Sequence, residues 1–508
     1  MLVRTFTGAI LGVEALKITV EVNITQGIRF FIVGLANGAI RESQQRIESA
    51  LINNGFEWPR FRVVINLAPA DLRKDGTHYD LPLALGILAA NGQVDARMLE
   101  EYALLGELSL DGGIQPVRGV LPMALMAREE GFRGILVPLG NYPEASVVER
   151  LEVIPVSNLK EVVDFYEGIM PAFPSTSGKV SRTNGKISGL DFSDIKGQEF
   201  LKRAMLIAAA GSHSVLLHGP PGSGKSMAAH RLSSILPPMS QDEALRTTMV
   251  HSVAGLMDAG TGLLEQRPIR SPHHTASNIA LIGGGVSPRP GEVSLAHNGV
   301  LFLDELPEFR RNALEVLRQP LEEHKIPISR AGYRVVYPAD FMLVAAMNPC
   351  PCGYHGYPIK ECTCSMGDIL RYRSRLSGPL LDRIDMKVVV QPVEYKELSS
   401  DSRGMGSENM LKRVLRAREI QEKRFADIPG ISSNSRMGPS QRRLFCRLDS
   451  EGNKVIRATV TKLGLSARSY DRILMVSRTI ADLEGSKQIS AGHAREAISY
   501  RTLDREFK

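Results

Sequence analysis

The chain has 508 residues, 43% of them hydrophobic and 23% charged, which is typical of a globular protein with two or three domains. No apolar stretch approaches the ~20 residues of a membrane span, the N-terminus lacks a signal-peptide pattern, and the five cysteines do not suggest a disulfide framework, so we expect a cytoplasmic protein without membrane contacts. The net charge of +7 permits nucleic-acid binding but does not require it.

The first 169 residues are predicted to form a compact α/β domain. Helical spacing of Ile40, Ile47 and Leu51 favours a helix that ends before Gly55, and alternation of apolar and polar residues favours a half-buried strand at 18–23. The predicted strands are 18–23, 62–66 and 134–138, and the predicted helices are 40–53, 81–90 and 120–130.

Three segments of this domain carry a family resemblance. They are 74–83 (KDGTHYDLPL), 106–119 (GELSLDGGIQPVRG) and 135–138 (ILVP) with Asn141. Together they resemble the proteolytic domain of Lon, which has the fold of ribosomal protein S5 domain 2. The resemblance implies a nucleophilic serine in the first segment and a lysine just after the second.

The residues that would carry protease chemistry are missing. Where the resemblance places the serine and the lysine, this chain has Thr77, His78 and Leu121. A Ser-Lys dyad needs a hydroxyl group and a nearby amine that takes its proton, and Leu121 has none. We therefore expect a Lon-like fold without protease chemistry, with Ser43 and Lys74 as surface residues rather than a substitute dyad.

A composition change marks the end of this domain. Residues 170–188 are rich in Ser, Gly, Pro and Thr and are predicted to be a flexible linker. The following segment, 190–198 (LDFSDIKGQ), resembles the opening segment of AAA+ ATPases, which packs near the adenine. The resemblance implies that Ile195 lines the base, although an ordinary loop that enters a helix explains the same residues.

The stretch 219–226 (GPPGSGKS) matches the phosphate-loop pattern G-x-x-x-x-G-K-[ST] without a mismatch. It follows a predicted buried strand at 214–218 and precedes a predicted helix at 227–235, the context that the motif needs. Backbone amides would hold the phosphates of ATP, Lys225 would reach the β- and γ-phosphates, and Ser226 would bind Mg²⁺. The residues assigned to this loop are Gly219, Pro220, Pro221, Gly222, Ser223, Gly224, Lys225 and Ser226.

Two further buried strands are predicted to end at the same site. The first, in 299–305 (GVLFLDE), ends in Asp304, which would hold Mg²⁺ through its water shell, and Glu305, which would polarise the attacking water. The second, 341–348 (FMLVAAMN), ends in Asn348. The AAA+ resemblance implies that Asn348 is sensor 1, which positions that water; a backbone-capping asparagine is the alternative.

An insert at 267–297 lies between the phosphate loop and the acidic strand. Its glycines and prolines favour a loop or hairpin. It resembles the hairpin that interrupts the helix before the acidic strand in the Mg-chelatase-like subfamily of AAA+ proteins. The adjacent His273 and His274 cannot share one face of regular structure, so we expect no metal site there.

Two elements are predicted after the acidic strand. One is a single helix at 313–323, since Leu314 and Leu317 recur at helical spacing, and the other is a hairpin at 326–337 that turns at 331–332. Basic residues around such a hairpin would suit phosphate tracking in a ring pore, but a solvated basic turn explains them equally. These candidate DNA contacts are Lys325, Arg330 and Arg334.

Four of the five cysteines fall within fifteen residues, as Cys350-Pro-Cys352 and Cys362-Thr-Cys364. Four thiolates around one Zn²⁺ would tie this segment together without a large core. Free thiols, or a three-cysteine site completed by His355, are the alternatives. Cys446 stands apart and is predicted to lie in the core.

Two arginines complete the predicted site. The segment 378–385 (GPLLDRID) resembles the AAA+ motif that carries the arginine finger, which implies that Arg383 acts on ATP bound by a neighbouring subunit; an Asp382–Arg383 surface pair is the alternative. Helices are predicted at 408–425, at 489–501 and after the N-cap Ser466. The resemblance implies that Arg468, in the helix after Ser466, is sensor 2, which detects the γ-phosphate.

The order of these segments resembles the YifB/ComM family of Mg-chelatase-like AAA+ ATPases. We assign a Lon-like α/β domain to 1–169, an α/β/α P-loop ATPase domain to 189–394 and an α-helical lid to 395–508. The resemblance implies a homohexameric ring that hydrolyses ATP with Mg²⁺ and drives branch migration of DNA as incoming single strands are integrated during natural transformation. A metal-insertion motor like that of Mg-chelatase, or a regulatory ATPase of a protease or chaperone, are the alternatives.

Overall fold

The computed structural model describes residues 1–169, 189–258, 260–285, 287–330, 333–357, 360–393, 397 and 404–505. The predicted linker at 170–188 and the predicted turn at 331–332 lie outside these residues, and so does the side chain of Arg330.

The N-terminal domain is built on a seven-stranded mixed sheet. Alternation decides which face of the long second strand is inside, because Ile18, Val20 and Val22 are all fully buried on one side. In spatial order, the strands are Phe30–Val33, Arg62–Ala68, Glu14–Thr25, Leu2–Leu11, Tyr102–Leu104, Gly134–Pro138 and Glu152–Val156. A small hairpin pairs Glu107–Leu108 with Ile114–Gln115.

The predicted helices of this domain are confirmed, with ends shifted by at most two residues. Asp80–Ala90 is buried along its whole length, which agrees with its lack of a polar face. The α-helices are Gly38–Asn53, Asp80–Ala90, Val120–Glu129, Tyr142–Ala145 and Leu159–Tyr166, with a 3₁₀ turn at Leu139–Asn141.

The prediction that Ser43 and Lys74 are surface residues is wrong, because both are fully buried. The Ser43 hydroxyl donates to the carbonyl of Ile40, in the same helix, at 2.6 Å. The Lys74 amine donates to the carbonyl of Pro69. Each polar group therefore has a local backbone partner, which is what makes its burial affordable.

The ATPase domain is a five-stranded parallel sheet, and its register places the site. Strand Val215–His218 lies between Met342–Met347 and Met386–Val389, with His218 opposite Met347 and Val389. The full spatial order is Ile269–Arg270, Val300–Leu303, Met342–Met347, Val215–His218 and Met386–Val389. The carboxyl ends of the three strands that precede Gly219, Asp304 and Asn348 thus share one edge.

Helices cover both faces of this sheet. The α-helices are Glu199–Gly211, Lys225–Arg231, Gln241–Ala254, Asn278–Ile282, Glu292–Leu295, Arg311–Glu315, Arg318–Glu323, Met366–Arg373 and Gly378–Leu381. Turns of 3₁₀ helix lie at Phe192–Asp194, Leu232–Ile235 and Leu306–Glu308. The single helix predicted at 313–323 is wrong: it is broken between Glu315 and Arg318, because Pro320 has no amide hydrogen and its ring would clash with the carbonyl of Val316.

Both predicted hairpins are present. In the insert, Gly283–Gly284 pairs with Arg289–Pro290. The second hairpin pairs Lys325–Arg330 with Tyr333–Pro338, and this register leaves two residues for the turn.

The C-terminal region is helical. Its α-helices are Ser407–Phe425, Pro439–Phe445, Ser450–Leu463, Ala467–Leu483 and Ala491–Ser499, with 3₁₀ turns at Asn434–Arg436 and Thr502–Arg505. The predicted N-cap is confirmed, because the Ser466 side chain accepts from the amide of Ser469. Cys446 is buried in the core shared with the ATPase domain, as predicted.

Two of the contacts between the N-terminal domain and the ATPase domain lie near the insert and the second hairpin. Helix Val120–Glu129 packs on helix Gln241–Ala254, whose Leu245 and Met249 join the apolar cluster of the first domain. The Gly119 amide donates to the carbonyl of Ser252 at 3.1 Å. At the second place, the turn at Gly12 meets the second hairpin at Val335 and Val336. The N-terminal domain thus contacts both the helix before the insert and a hairpin.

Candidate ATP site and four-cysteine cluster

The phosphate loop has the geometry that its sequence predicts. Gly222 and Gly224 have φ angles of +75° and +85°, a backbone region that glycine adopts without strain. The loop leads directly into helix Lys225–Arg231. Backbone amides at the N-terminus of this helix and in a glycine-rich loop suit an anion of several charges, such as a triphosphate.

Lys225 lies buried inside the loop. Its amine donates to the carbonyls of Gly219 and Pro220, both at 2.7 Å, and to the side-chain oxygen of Asn348 at 3.2 Å. Desolvation lowers the pKa of Lys225 to about 8, although Asp304 opposes this shift. The predicted phosphate ligand and the predicted sensor 1 therefore meet in direct contact.

Ser226 and Asp304 form the second direct contact of the site. The Ser226 hydroxyl donates to the Asp304 carboxylate at 2.6 Å, across 78 residues of sequence. A hydroxyl and a carboxylate at the edge of a parallel sheet are oxygen ligands of the kind that Mg²⁺ prefers. These two residues would hold the ion, which would neutralise charge on the phosphates.

Glu305 is open to solvent and held in an unusual backbone conformation. Its φ is +51° and its side chain is 57% exposed, so a carboxylate projects where water has access. The His274 ring lies 3.5 Å from this carboxylate. His273 and His274 lie outside helices and strands, and their ring centroids are 4.1 Å apart.

Among the described side chains, Gln198 is a site residue that sequence reasoning missed. Its side-chain amide donates to the carbonyl of Ser223 in the phosphate loop at 2.9 Å and to the carbonyl of Gln391 at 2.7 Å. It thereby ties the opening segment to the loop and to the chain that leads to the helical region. Ile195, the predicted adenine contact, lies in the same segment and is buried. Gln198 ends the segment 190–198 that resembles the opening of AAA+ ATPases, but that resemblance pointed only to Ile195.

Arg383 lies at the opposite end of the strands, beyond their amino ends. It comes three residues before Met386, which pairs with Val215, so it is at the amino end of strands whose carboxyl ends lead to the phosphate loop. Its guanidinium donates to the carbonyl of Pro379 at 2.7 Å and lies 2.8 Å from the Glu322 carboxylate. The partner is thus Glu322 rather than the neighbouring Asp382.

Arg468 lies beside Arg383. Its guanidinium is 3.5 Å from the same Glu322 carboxylate oxygen, and its side chain is 56% exposed. The Ser466 hydroxyl, at the start of the same helix, is 3.5 Å from the Asp382 carboxylate. Both predicted arginines therefore lie together, on the side of the sheet opposite to Lys225.

The four clustered cysteines converge on one point. The sulfur of Cys350 lies 3.3 Å from that of Cys352 and 3.6 Å from that of Cys362, and all four sulfurs, that of Cys364 included, lie within 4.8 Å of one another. Tetrahedral Zn²⁺ with bonds of about 2.3 Å would hold its sulfurs about 3.8 Å apart. The backbone amide of His355 donates to the Cys350 sulfur. The residues present fit a Zn²⁺ site of four thiolates.

The cysteine segment is built against the phosphate loop. Gly353 has a φ of +88°, and a Cβ placed on it would lie 2.6 Å from the ring of Pro221. Only glycine permits this approach. A hydrogen bond from the backbone amide of Tyr354 lowers the pKa of Cys352 to about 5, which favours a thiolate at neutral pH.

The basic residues of the second hairpin point to solvent where they are described. Lys325 and Arg334 are exposed at opposite ends of the paired strands. No helix in the described part of the chain is both long and apolar enough to span a bilayer.

Comparison with known families accounts for most of the chain. The model described as "Magnesium chelatase, subunit ChlI" matches residues 191–398. The models "Subunit ChlI of Mg-chelatase" and "Magnesium chelatase, subunit ChlI C-terminal" match residues 20–141 and 404–501. The matched regions include the phosphate loop, both arginines and the cysteines.

Some relatives match this chain over almost its whole length. Competence protein ComM of Haemophilus influenzae is 43% identical over 505 residues, covering 98% of this chain and 97% of its own length. YifB of Escherichia coli is 43% identical over 503 residues with the same coverage. The 38 kDa magnesium-chelatase subunit of Cereibacter sphaeroides is 28% identical over only 31% of this chain. The chain therefore belongs to the Mg-chelatase ChlI-like ATPase family, and within it to the full-length type of ComM and YifB.

Proposed function

We propose that this chain is an ATP-hydrolysing ring motor that acts on DNA and drives branch migration as incoming single strands are integrated during natural transformation. One observation carries the proposal. Lys225 and Asn348 meet at the carboxyl edge of the parallel sheet, whereas Arg383 and Arg468 lie together beyond its amino edge.

This separation favours an assembly. The four-residue strand between the two edges spans roughly 13 Å at about 3.3 Å per residue, so Arg383 is too far to touch phosphates bound at its own Lys225. A second copy that places its arginine edge against the phosphate edge of the first would supply the missing charge. Such a head-to-tail contact repeats and closes into a ring, for which we propose six subunits.

Each residue then has a role in hydrolysis. Ser226 and Asp304 would hold Mg²⁺, and Lys225 would exchange its carbonyl partners for phosphate oxygens. Glu305 orients the attacking water from the solvent side, and Asn348 is in place to fix that water against the γ-phosphate. Arg383 from the neighbouring subunit would stabilise charge on the phosphoryl group.

The DNA-directed part of the proposal has different support. Lys325 and Arg334 are exposed on a hairpin, where cations can track a phosphate backbone in any sequence. A full-length relative is named as a competence protein. The four cysteines would hold a structural Zn²⁺ beside the phosphate loop. The Lon-like N-terminal domain would contact the ATPase domain and would not cleave proteins.

The test is ATP hydrolysis measured against a panel of DNA structures. We expect forked or four-way-junction DNA to raise turnover more than linear duplex of equal length, because branched DNA presents the substrate of migration. A porphyrin with Mg²⁺ and unfolded casein serve as the other arms. Stimulation by the porphyrin would favour a metal-insertion motor, and stimulation by casein a protease or chaperone regulator.

Subunit mixing tests the ring. Lys225→Ala removes the phosphate ligand and Arg383→Ala the trans-acting charge, so each variant alone should be nearly inactive. A mixture should regain part of the activity, because some interfaces pair an intact phosphate loop with an intact Arg383. Full activity of either variant alone, or of a monomer at every dilution, would contradict the proposal.

A further inference from the structure

One carboxylate contacts both Arg383, which we assign to the neighbouring active site, and Arg468, which lies beside it. The Glu322 oxygen Oε1 lies 2.8 Å from a terminal nitrogen of Arg383 and 3.5 Å from a terminal nitrogen of Arg468. Glu322 lies in helix Arg318–Glu323, the short helix that follows the break after Glu315. Three segments that are far apart in sequence therefore meet at this one group.

Arg383 is folded back onto its own chain. Its side chain is only 10% exposed, and beyond Glu322 its guanidinium is held by the carbonyl of Pro379 at 2.7 Å. An arginine that acts on ATP bound by a neighbour must present its charge outside its own subunit. In the observed conformation, the charge of Arg383 is both covered and neutralised.

The surrounding charges leave Glu322 available for this pair. On the same helix, Arg318 lies 2.7 Å from Glu315 and donates to the Ser377 hydroxyl, and Glu323 accepts from Gln319 at 3.1 Å. Glu322 is 40% exposed, so its ion pairs are weak enough to exchange. A bound triphosphate carries more negative charge than one carboxylate and can compete for the same guanidinium groups.

We propose that Glu322 is a positioning residue that keeps Arg383 and Arg468 together on their own subunit until the phosphates of a neighbour replace its carboxylate. The inference rests on the trans-acting role of Arg383 proposed above. Its consequence is that the arginines engage a neighbouring ATP only by leaving Glu322, so the carboxylate restrains hydrolysis where the contact between subunits is weak.

The test is Glu322→Gln in the full chain. Glutamine keeps the size of the side chain but removes the negative charge. We expect kcat for ATP to rise about two- to fivefold at limiting subunit concentration, the range that a partly exposed ion pair supports. The KM for ATP should stay within about twofold, because nucleotide binds at the opposite edge.

Two variants separate this role from a structural one. Glu323→Gln, the adjacent exposed carboxylate on the same helix, should behave as wild type. Glu322→Asp keeps the charge but shortens the reach by one methylene, and we expect it to raise kcat at limiting subunit concentration in the same direction. In the double variant Glu322→Gln/Arg383→Ala the gain should vanish, leaving the rate of Arg383→Ala alone.

The opposite outcomes are equally clear. Wild-type kcat at every concentration in both Glu322 variants would overturn the inference, and so would a loss as large as that of Arg383→Ala in a variant with unchanged thermal stability. Normal hydrolysis by Arg383→Ala would overturn it together with the trans-acting role. A wild-type enzyme that hydrolyses ATP but ignores DNA would contradict only the proposed substrate.

Discussion

Two buried lysines, one in each α/β domain, show what separates a site from a core. Lys74 and Lys225 are both buried, both donate to backbone carbonyls, and burial lowers the pKa of both. Around Lys74 the polar groups are committed elsewhere: the Thr77 hydroxyl donates to Glu107, and the His78 ring contacts the carbonyl of Gly8 at 2.8 Å.

Around Lys225 the same kinds of group are arranged for exchange. The Lys225 amine can exchange its carbonyl partners for phosphate oxygens, and the Ser226–Asp304 contact can open to admit a cation. Leu121, at the place of the missing dyad lysine, is fully buried in an apolar cluster instead. A buried charge is thus a weak sign of chemistry; a buried charge among partners that a ligand can replace is a strong one.

The largest expected effect comes from removing one lysine and sparing the other domain. Lys225→Ala should lower ATP turnover by about 10²–10³, because it deletes the charge at the phosphates. Thr77→Ala, at the place in the N-terminal domain where the Lon resemblance implies a nucleophile, should leave ATP turnover unchanged. Steady-state phosphate release measures both, and a large loss in Thr77→Ala would break the contrast between the domains.

Metal loss should reach the ATP site but not the N-terminal domain. Cys352→Ser is expected to lower zinc content from about one per chain and to slow ATP hydrolysis about tenfold, since Gly353 packs on Pro221. Metal analysis after purification without chelators provides the measurement. Cys446→Ser, a buried thiol outside the cluster, is the control; equal zinc in both variants would reduce the cluster to ordinary thiols.

A disulfide can test whether the contact between the Gly12 turn and the second hairpin separates during ATP turnover. A Cβ built on Gly12 lies 3.6 Å from that of Val335, within the span of a disulfide. Oxidised Gly12→Cys/Val335→Cys should lose roughly fivefold in DNA-stimulated turnover and regain it on reduction, if the hairpin must move. Gly12→Cys alone controls for the strain of a positive φ. Undiminished stimulation in the locked protein would show that the domain and the hairpin move together.

The smallest effect is a pH dependence that only Lys225 explains. Burial lowers the pKa of the Lys225 amine in the nucleotide-free loop, whereas bound phosphates raise it again. ATP binding above pH 8 therefore takes up a proton, and the affinity for ATP falls as the pH rises. With a pKa of about 8, we expect ATP affinity to fall about fourfold between pH 7 and pH 8.5. Equilibrium titration with a fluorescent ATP analogue measures this, and Lys225→Arg should flatten the profile.

The sequence was most informative where chemistry fixes spacing. The phosphate loop, the acidic strand end and the cysteine pairs each need particular residue types at set intervals, and the structure brings Lys225, Ser226, Asp304 and Asn348 into contact. The cysteine cluster could be predicted for the same reason, since four thiols in fifteen residues have few other uses.

What could not be predicted depends on tertiary partners. Nothing in the sequence assigns Glu322 to two arginines that are 61 and 146 residues away, or Gln198 to the carbonyl of Gln391. Ser43 and Lys74 are polar, and only the positions of nearby carbonyls decide that they can be buried. Pro320 indicates a break in the helix predicted at 313–323, but the prediction followed the helical spacing of the leucines instead.

The close approach of Gly353 to Pro221 links two chemistries that are usually separate. Thiolates are lost to oxidants and to competing soft metals, and both change the shape of the segment that they hold. Because that segment packs on Pro221 of the phosphate loop, oxidation of the four thiols would change the surroundings of the nucleotide without a dedicated sensor domain. ATP hydrolysis would then slow under oxidising conditions.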